Sequence, residues 1–187
     1  STSIGSLAFH GSGVYRDAGD YEIPGPAEAH HAGESPGADE AVGFVPNSGL
    51  ETSRFAGGTS WVGSEGHFGV SYSGYDSRYG VPDHEHEEPP PSPGAEEEPV
   101  SIDMEQRRFD AEGRWRFDGM LRAVRARFGL TDYEHVELEG SEVGTRFEND
   151  QWEGRLELQH GLLGLEGAAG IQLMSRDFAA IGAEAFV

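Results

Sequence analysis

Apolar and polar residues alternate along most of this chain, most clearly near its middle. Between 122 and 136, Val124, Ala126, Phe128 and Leu130 fall on one face of an extended strand; Arg125, Arg127, Thr131 and His135 fall on the other. Between 106 and 117, Phe109, Ala111, Gly113, Trp115 and Phe117 oppose Arg108, Asp110, Glu112, Arg114 and Arg116. Leu156 and Leu158 alternate with Arg155, Glu157 and Gln159, and Leu165, Ala169, Ile171 and Leu173 oppose Glu166, Gln172 and Arg176. Weaker alternation runs through 52–62 and 66–79, and the residues around Leu7, Phe9 and Tyr15 form one more candidate strand. Helical periodicity is weak, because glycine interrupts most windows and costs about 1 kcal/mol in a helix interior relative to alanine. The pattern predicts an all-β, antiparallel chain of about seven up-and-down strands, several longer than the ~5–6 residues usual in a globular sheet.

The connections carry a second signal. Gly63-Ser64-Glu65-Gly66, Asp118-Gly119-Met120 and Gly161-Leu162-Leu163-Gly164 are tight-turn sequences. Polar stretches at 17–49, 81–99 and 139–142 supply the long connections, so long and short links alternate. Transmembrane barrels are built this way: periplasmic turns are short and extracellular loops long, one strand face meets lipid and the other lines a polar lumen. Trp61, Trp115, Phe117 and Tyr133, near strand ends, suit interfacial aromatic girdles. A soluble sandwich or open meander would also alternate its faces, with less reason to segregate loop lengths.

Composition narrows the choice. Only 36% of the 187 residues are hydrophobic and 28 are glycine, lean for a soluble globule but not for strands with one face on a polar interior. The absence of cysteine removes disulfides, thiolate metal sites and thiol chemistry. A net charge of -21 argues against nucleic acid and favours metal cations or cationic ligands. No apolar run reaches the ~18 residues of a transmembrane helix. The opening residues lack the basic and apolar regions of a signal peptide, so the expectation is a cleaved leader or a start partway along a longer chain.

A run of short motifs carries a family resemblance. Tyr79-Gly80-Val81-Pro82 leads into a His/Glu-rich stretch, then Ile102-Asp103-Met104-Glu105-Gln106-Arg107-Arg108-Phe109-Asp110. Tyr133-Glu134-His135-Val136-Glu137, Gly144-Thr145-Arg146-Phe147, Arg176-Asp177-Phe178, Ala180-Ile181-Gly182 and Glu184-Ala185-Phe186 follow. From about residue 52 onward this order resembles the barrel portion of TonB-dependent outer-membrane receptors, particularly the zinc-uptake type with a His-rich extracellular loop. The resemblance implies a barrel of about 22 strands around an N-terminal plug. It also implies residence in the outer membrane of a Gram-negative bacterium, contact with its lipid, and uptake driven by the TonB system through the plug. With no plug, no TonB box and only about seven strands, residues 1–187 are expected to be a fragment of that barrel domain.

The candidate chemistry is metal capture. His84 and His86, with Glu85, Glu87 and Glu88 beside them, offer imidazole nitrogen and carboxylate oxygen to a divalent cation, a ligand set that suits zinc, nickel or copper. Their bland reading is a solvated acidic loop. His30 and His31, near Glu28 and Glu34, are a weaker cluster of the same kind, and His135 between Glu134 and Glu137 is a lumen candidate. Zinc would be cargo; no cofactor is called for. Opposed Arg and acidic residues on one strand face read as charge neutralisation, and no nucleophile elbow, phosphate loop or dinucleotide fingerprint is present, so the chain is not expected to be an enzyme. The alternatives are a receptor for a siderophore or other metal chelate, and a porin-like or structural barrel without a specific ligand.

Overall fold

In a computed structural model that describes residues 1–27, 40–82, 98–162 and 164–182, the chain is all-β. Ten strands form among these residues: β1 (Thr2–Ile4), β2 (Leu7–Ala18), β3 (Tyr21–Pro26), β4 (Val42–Val45), β5 (Leu50–Val62), β6 (Gly66–Gly80), β7 (Val100–Arg116), β8 (Leu121–Glu139), β9 (Glu142–Leu162) and β10 (Leu165–Gly182). Eight of them make one antiparallel sheet in the order β1-β2-β5-β6-β7-β8-β9-β10, and the β3–β4 hairpin is inserted between β2 and β5. The seven long strands are those the alternation predicts. The three others have three, six and four residues, too short for a period of two to declare itself. Among the described residues the sheet is open: β1 and β10 are its edges and do not pair with each other.

The two ends of the sheet differ. At one end the described links are short turns, Gly5-Ser6, 63–65 and 117–120, and β9 ends at Leu162 close to the start of β10 at Leu165. Gly63 N donates to Gly66 O (2.8 Å), Phe117 N to Arg122 O (2.9 Å), and Gly119 carries the positive φ (119°) that its turn requires. At the other end the chain leaves the sheet at Ala18 and Gly80 and re-enters it at Leu50 and Val100, on either side of the two long connections. Residues 139–142, expected as a third long link, are instead a tight hairpin. Glu139 pairs with Glu142 around Gly140, whose φ is 58°. The charge that suggested a loop belongs to strand ends, where backbone pairing holds the ladder without burial.

The two long connections are clasped together at their necks. Asn47 sits at φ 53°, a conformation asparagine tolerates better than most residues, and its Nδ2 donates to Val81 O (2.8 Å) and Val100 O (2.7 Å). Ser48 N donates to Asp20 Oδ1, Tyr21 N to Ser48 Oγ, and Ser48 Oγ to Val45 O, which ties the β3–β4 hairpin to the sheet.

Register gives the sheet an oblique margin. Leu7, at the start of β2, lies level with Trp61, Phe68, Gly113, Ala126, Leu156 and Ile171. The first residue of β10, Leu165, is six positions beyond Ile171 toward the turn end. Six residues along a strand are about 20 Å and six strand spacings about 29 Å, so the line of turns runs at roughly 35° to the perpendicular of the strands. If all turns occupy one plane, the strands are inclined to its normal by that angle.

Replacing Asn47 by alanine removes both clasp bonds and places a Cβ residue without a side-chain acceptor at positive φ. The expected outcome is a loss of about 1–3 kcal/mol of local stability, read as faster amide exchange at Val81 and Gly140 than at residues in mid-sheet. Unchanged exchange at the neck would show that the clasp holds nothing.

Candidate functional site

Residues paired across neighbouring strands point to the same side, so the register defines two faces. One is apolar. Its rows read Trp115, Val124, Leu158 and Ala169; then Leu7, Trp61, Phe68, Gly113, Ala126, Leu156 and Ile171; then Phe9, Thr59, Val70, Ala111, Phe128, Gly154 and Leu173. Among the described residues nothing covers this face: Phe68 is 54% exposed, Ile171 57% and Leu156 41%. Ala123 is the only buried hydrophobic residue among the described residues, so no core lies on either side of the sheet. His160 is a polar exception on the apolar face near the turn end, and its Nδ1 is enclosed without a partner.

Both margins of this apolar band are inclined in the same sense. Toward the long connections, its last apolar residues are Tyr15, Phe55, Tyr72, Phe109, Leu130, Trp152 and Leu173 from β2 to β10. Relative to the Leu7 row, Tyr15 stands eight positions up and Leu173 only two, a drop of six that matches the six-residue descent of the turns. On β9 the band runs from Trp152 to Leu162, about 33 Å along the strand and about 27 Å along the normal of an inclined sheet. Aromatic residues border it on both sides. Trp61 and Trp115 stack at the turn end, with centroids 5.6 Å apart and planes at 8°, and Phe55 and Tyr72 lie 5.9 Å apart at the other margin.

Beyond that second margin the same face turns acidic. Asp76, Glu105, Glu134 and Glu148 form one row in direct register, above a row of Arg107, Asp132, Asp150 and Asp177. Arg107 bridges Asp76 (2.7 Å) and Glu105 (3.0 Å), and Arg146 bridges Glu134 (3.4 Å) and Glu148 (3.9 Å). Directly opposed carboxylates destabilise a sheet, and two arginines do not neutralise the row.

The opposite face is charged. All thirteen basic residues of the chain are arginines. By register nine of them lie on this face, and Arg122, at the irregularity between Leu121 and Ala123, reaches the same side at Gly161; Arg78, Arg107 and Arg146 are the exceptions, on the acidic margin. In the turn half they interleave with acids. Glu112 accepts from Arg125 Nη2 (2.7 Å) and Arg127 Nε (2.9 Å), with His67 Nε2 3.8 Å away. Arg108 donates to Asp110 and reaches Glu153 (3.2 Å) across β8. That bridge passes over Gly129, where a Cβ would stand 3.2 Å from Arg108 Nη2 and 3.4 Å from both Asp110 Oδ1 and Glu153 Cγ.

In the loop half of the charged face an aromatic group replaces the ion pairs. Tyr133 Oη lies 2.9 Å from His135 Nδ1, the His135 ring stacks on Phe147 at 4.4 Å, and Phe147 leads to Phe178 at 6.4 Å. Tyr133 therefore does not belong to an interfacial girdle. Its odd position on β8 places it with Thr131 and His135 on the charged face, and parity decides the face whatever the distance from the strand end.

His135 thus stands where its alternation predicts, beside rings; among the described residues no group of three or more His, Asp or Glu side chains could hold a metal. His84, Glu85, His86, Glu87, Glu88, His30 and His31 lie outside the described residues, in the two connections of the loop end. The acidic row, the opposed arginines and the aromatic group depend on pairing between strands, which single-strand patterns do not reveal. No protein-family model matches the chain.

The two faces should respond differently to glycine replacement. Gly129→Leu drives a side chain into the Arg108–Asp110–Glu153 contacts and should cost about 1–3 kcal/mol, as overpacking does. Gly154→Ala, whose Cβ would meet Phe128 and Trp152 at 3.9 Å, should be near neutral. Urea midpoints in detergent or lipid would show the contrast; equal midpoints would contradict the packing described.

Proposed function

We propose that this chain is a stretch of the wall of an outer-membrane β-barrel that takes up a divalent metal ion, zinc foremost, or a metal complex, by the TonB-dependent route in the full-length protein. One observation carries the membrane reading. The uncovered apolar face is limited by two parallel, inclined margins edged with aromatic residues. Strand tilts of roughly 35–45°, an apolar band about 25 Å tall and aromatic girdles on both sides are what a bilayer imposes on a barrel, and the inclination of about 35° and height of about 27 Å fit these values. On this reading the apolar face meets lipid, the arginine–acid face lines the lumen, and the long connections face outward.

The cargo rests on charge and ligand type. The acidic row stands at the outer margin, and the His84–Glu88 segment joins the sheet at the same end, so cations would be concentrated where imidazole and carboxylate ligands are available. The aromatic group around His135 favours a second version, in which the metal arrives inside an organic chelate that rings can hold.

Two experiments separate these layers. Leu156→Arg puts a charge on the apolar face in mid-band and should cost about 2–4 kcal/mol for folding into lipid vesicles, whereas Gln172→Arg, on the charged face, should cost far less; equal costs would defeat the membrane reading. Calorimetric titration with zinc should give saturable binding that vanishes in His84→Ala/His86→Ala. If the double variant binds like the parent, the loop is not the capture site, and the barrel reading stands unaffected.

A further inference from the structure

The charged face contains a place where its own ion pairs do not balance. Arg127 of β8 is in direct register with Arg155 of β9, and Arg125 of β8 with Arg114 of β7. Like charges directly opposite each other on one sheet face repel. Most of the charged face avoids this by setting Arg against Glu, as with Arg127 and Glu112, or Arg125 and Glu157. Here two carboxylates serve four guanidiniums: Glu112 is shared by Arg125 and Arg127, Glu157 accepts from Arg155 (3.2 Å), and Arg114 donates only to the neutral Gln159 (3.2 Å).

A cavity coincides with that surplus. It measures about 60 Å³ and lies between Arg125, Arg127, Arg155 and Glu157, roughly twice the ~30 Å³ that one water occupies in the liquid. Planar guanidiniums present forked N–H pairs that match the oxygens of phosphate and carboxylate.

We propose that the cavity framed by Arg125, Arg127 and Arg155 binds a small oxyanion of the phosphate class. The anion screens the Arg127–Arg155 repulsion. It places one negative centre midway along the face, so a cation that follows this wall meets balanced charge instead of a positive barrier. The site depends on the register of β7, β8 and β9 alone, and stands whichever cargo the full-length protein carries.

The test uses the whole chain folded in detergent micelles near neutral pH, with inorganic phosphate titrated against chloride at constant ionic strength and followed by calorimetry and phosphorus-31 line width. The parent should bind one phosphate saturably. Arg127→Gln and Arg155→Gln should each weaken binding about tenfold or more, the loss of one charge-assisted hydrogen bond, and Arg127→Lys, which keeps the charge, should recover part of it. Arg176→Gln, whose side chain hydrogen-bonds Gln151 away from the cavity, should bind like the parent. Far-ultraviolet dichroism on each variant identifies any that fail to fold, and the lysine variant then carries the comparison. No saturable binding to the parent, or equal loss in Arg176→Gln, would overturn the proposal.

Discussion

An apolar sheet face with nothing packed against it among the described residues is the constraint on which this structure turns. The band is about 25 Å by 30 Å, taken from strand rise and spacing. At about 25 cal/mol per Å², leaving its roughly 750 Å² in water forgoes on the order of 20 kcal/mol, more than the ~5–15 kcal/mol that usually separates a folded domain from its unfolded chain. Backbone ladders between seven long strands cannot make up that difference in water, since the net worth of each hydrogen bond there is small. On the reading proposed above the cover is a slab of hydrocarbon; parallel inclined margins, aromatic borders and charge immediately beyond them are the features such a slab imposes.

The other face follows from the same geometry. It is denied an apolar core, so its strands are held by backbone pairing and by crossed ion pairs among half-exposed side chains. Each of these contributes little alone, and their value is positional. The Arg108–Glu153 bridge over Gly129 and the sharing of Glu112 by Arg125 and Arg127 fix which charges can meet. They also leave arginine in surplus beside the small cavity. The concentration of arginine on this face, in a chain whose net charge is -21, leaves the excess of acids at the loop end. Charge is thus sorted along the strands as well as across them.

The seven long strands were legible because a period of two over 12 to 21 residues is hard to mistake. β1, β3 and β4 were not, being shorter than the pattern that would reveal them. Residues 139–142 misled because strand ends beyond the apolar band are as polar as loops. Tyr133 lies near a strand end, as a girdle residue would, but parity decides its face and puts it beside His135. The inclination of the band, the carboxylate row and the opposed arginines needed the register, which arises from pairing between distant segments. The histidines of the two connections remain where the sequence put them, as candidates defined by ligand chemistry.

The chain has no cysteine, so single cysteines carrying nitroxide labels can be placed one at a time from 153 to 158 on β9 in protein folded into lipid vesicles. Collision rates with oxygen, which partitions into lipid, and with a water-soluble nickel chelate then report what each face touches. The account predicts a period of two, with high oxygen access at 154, 156 and 158 and high chelate access at 153, 155 and 157. Equal access of the chelate to both sets would contradict it.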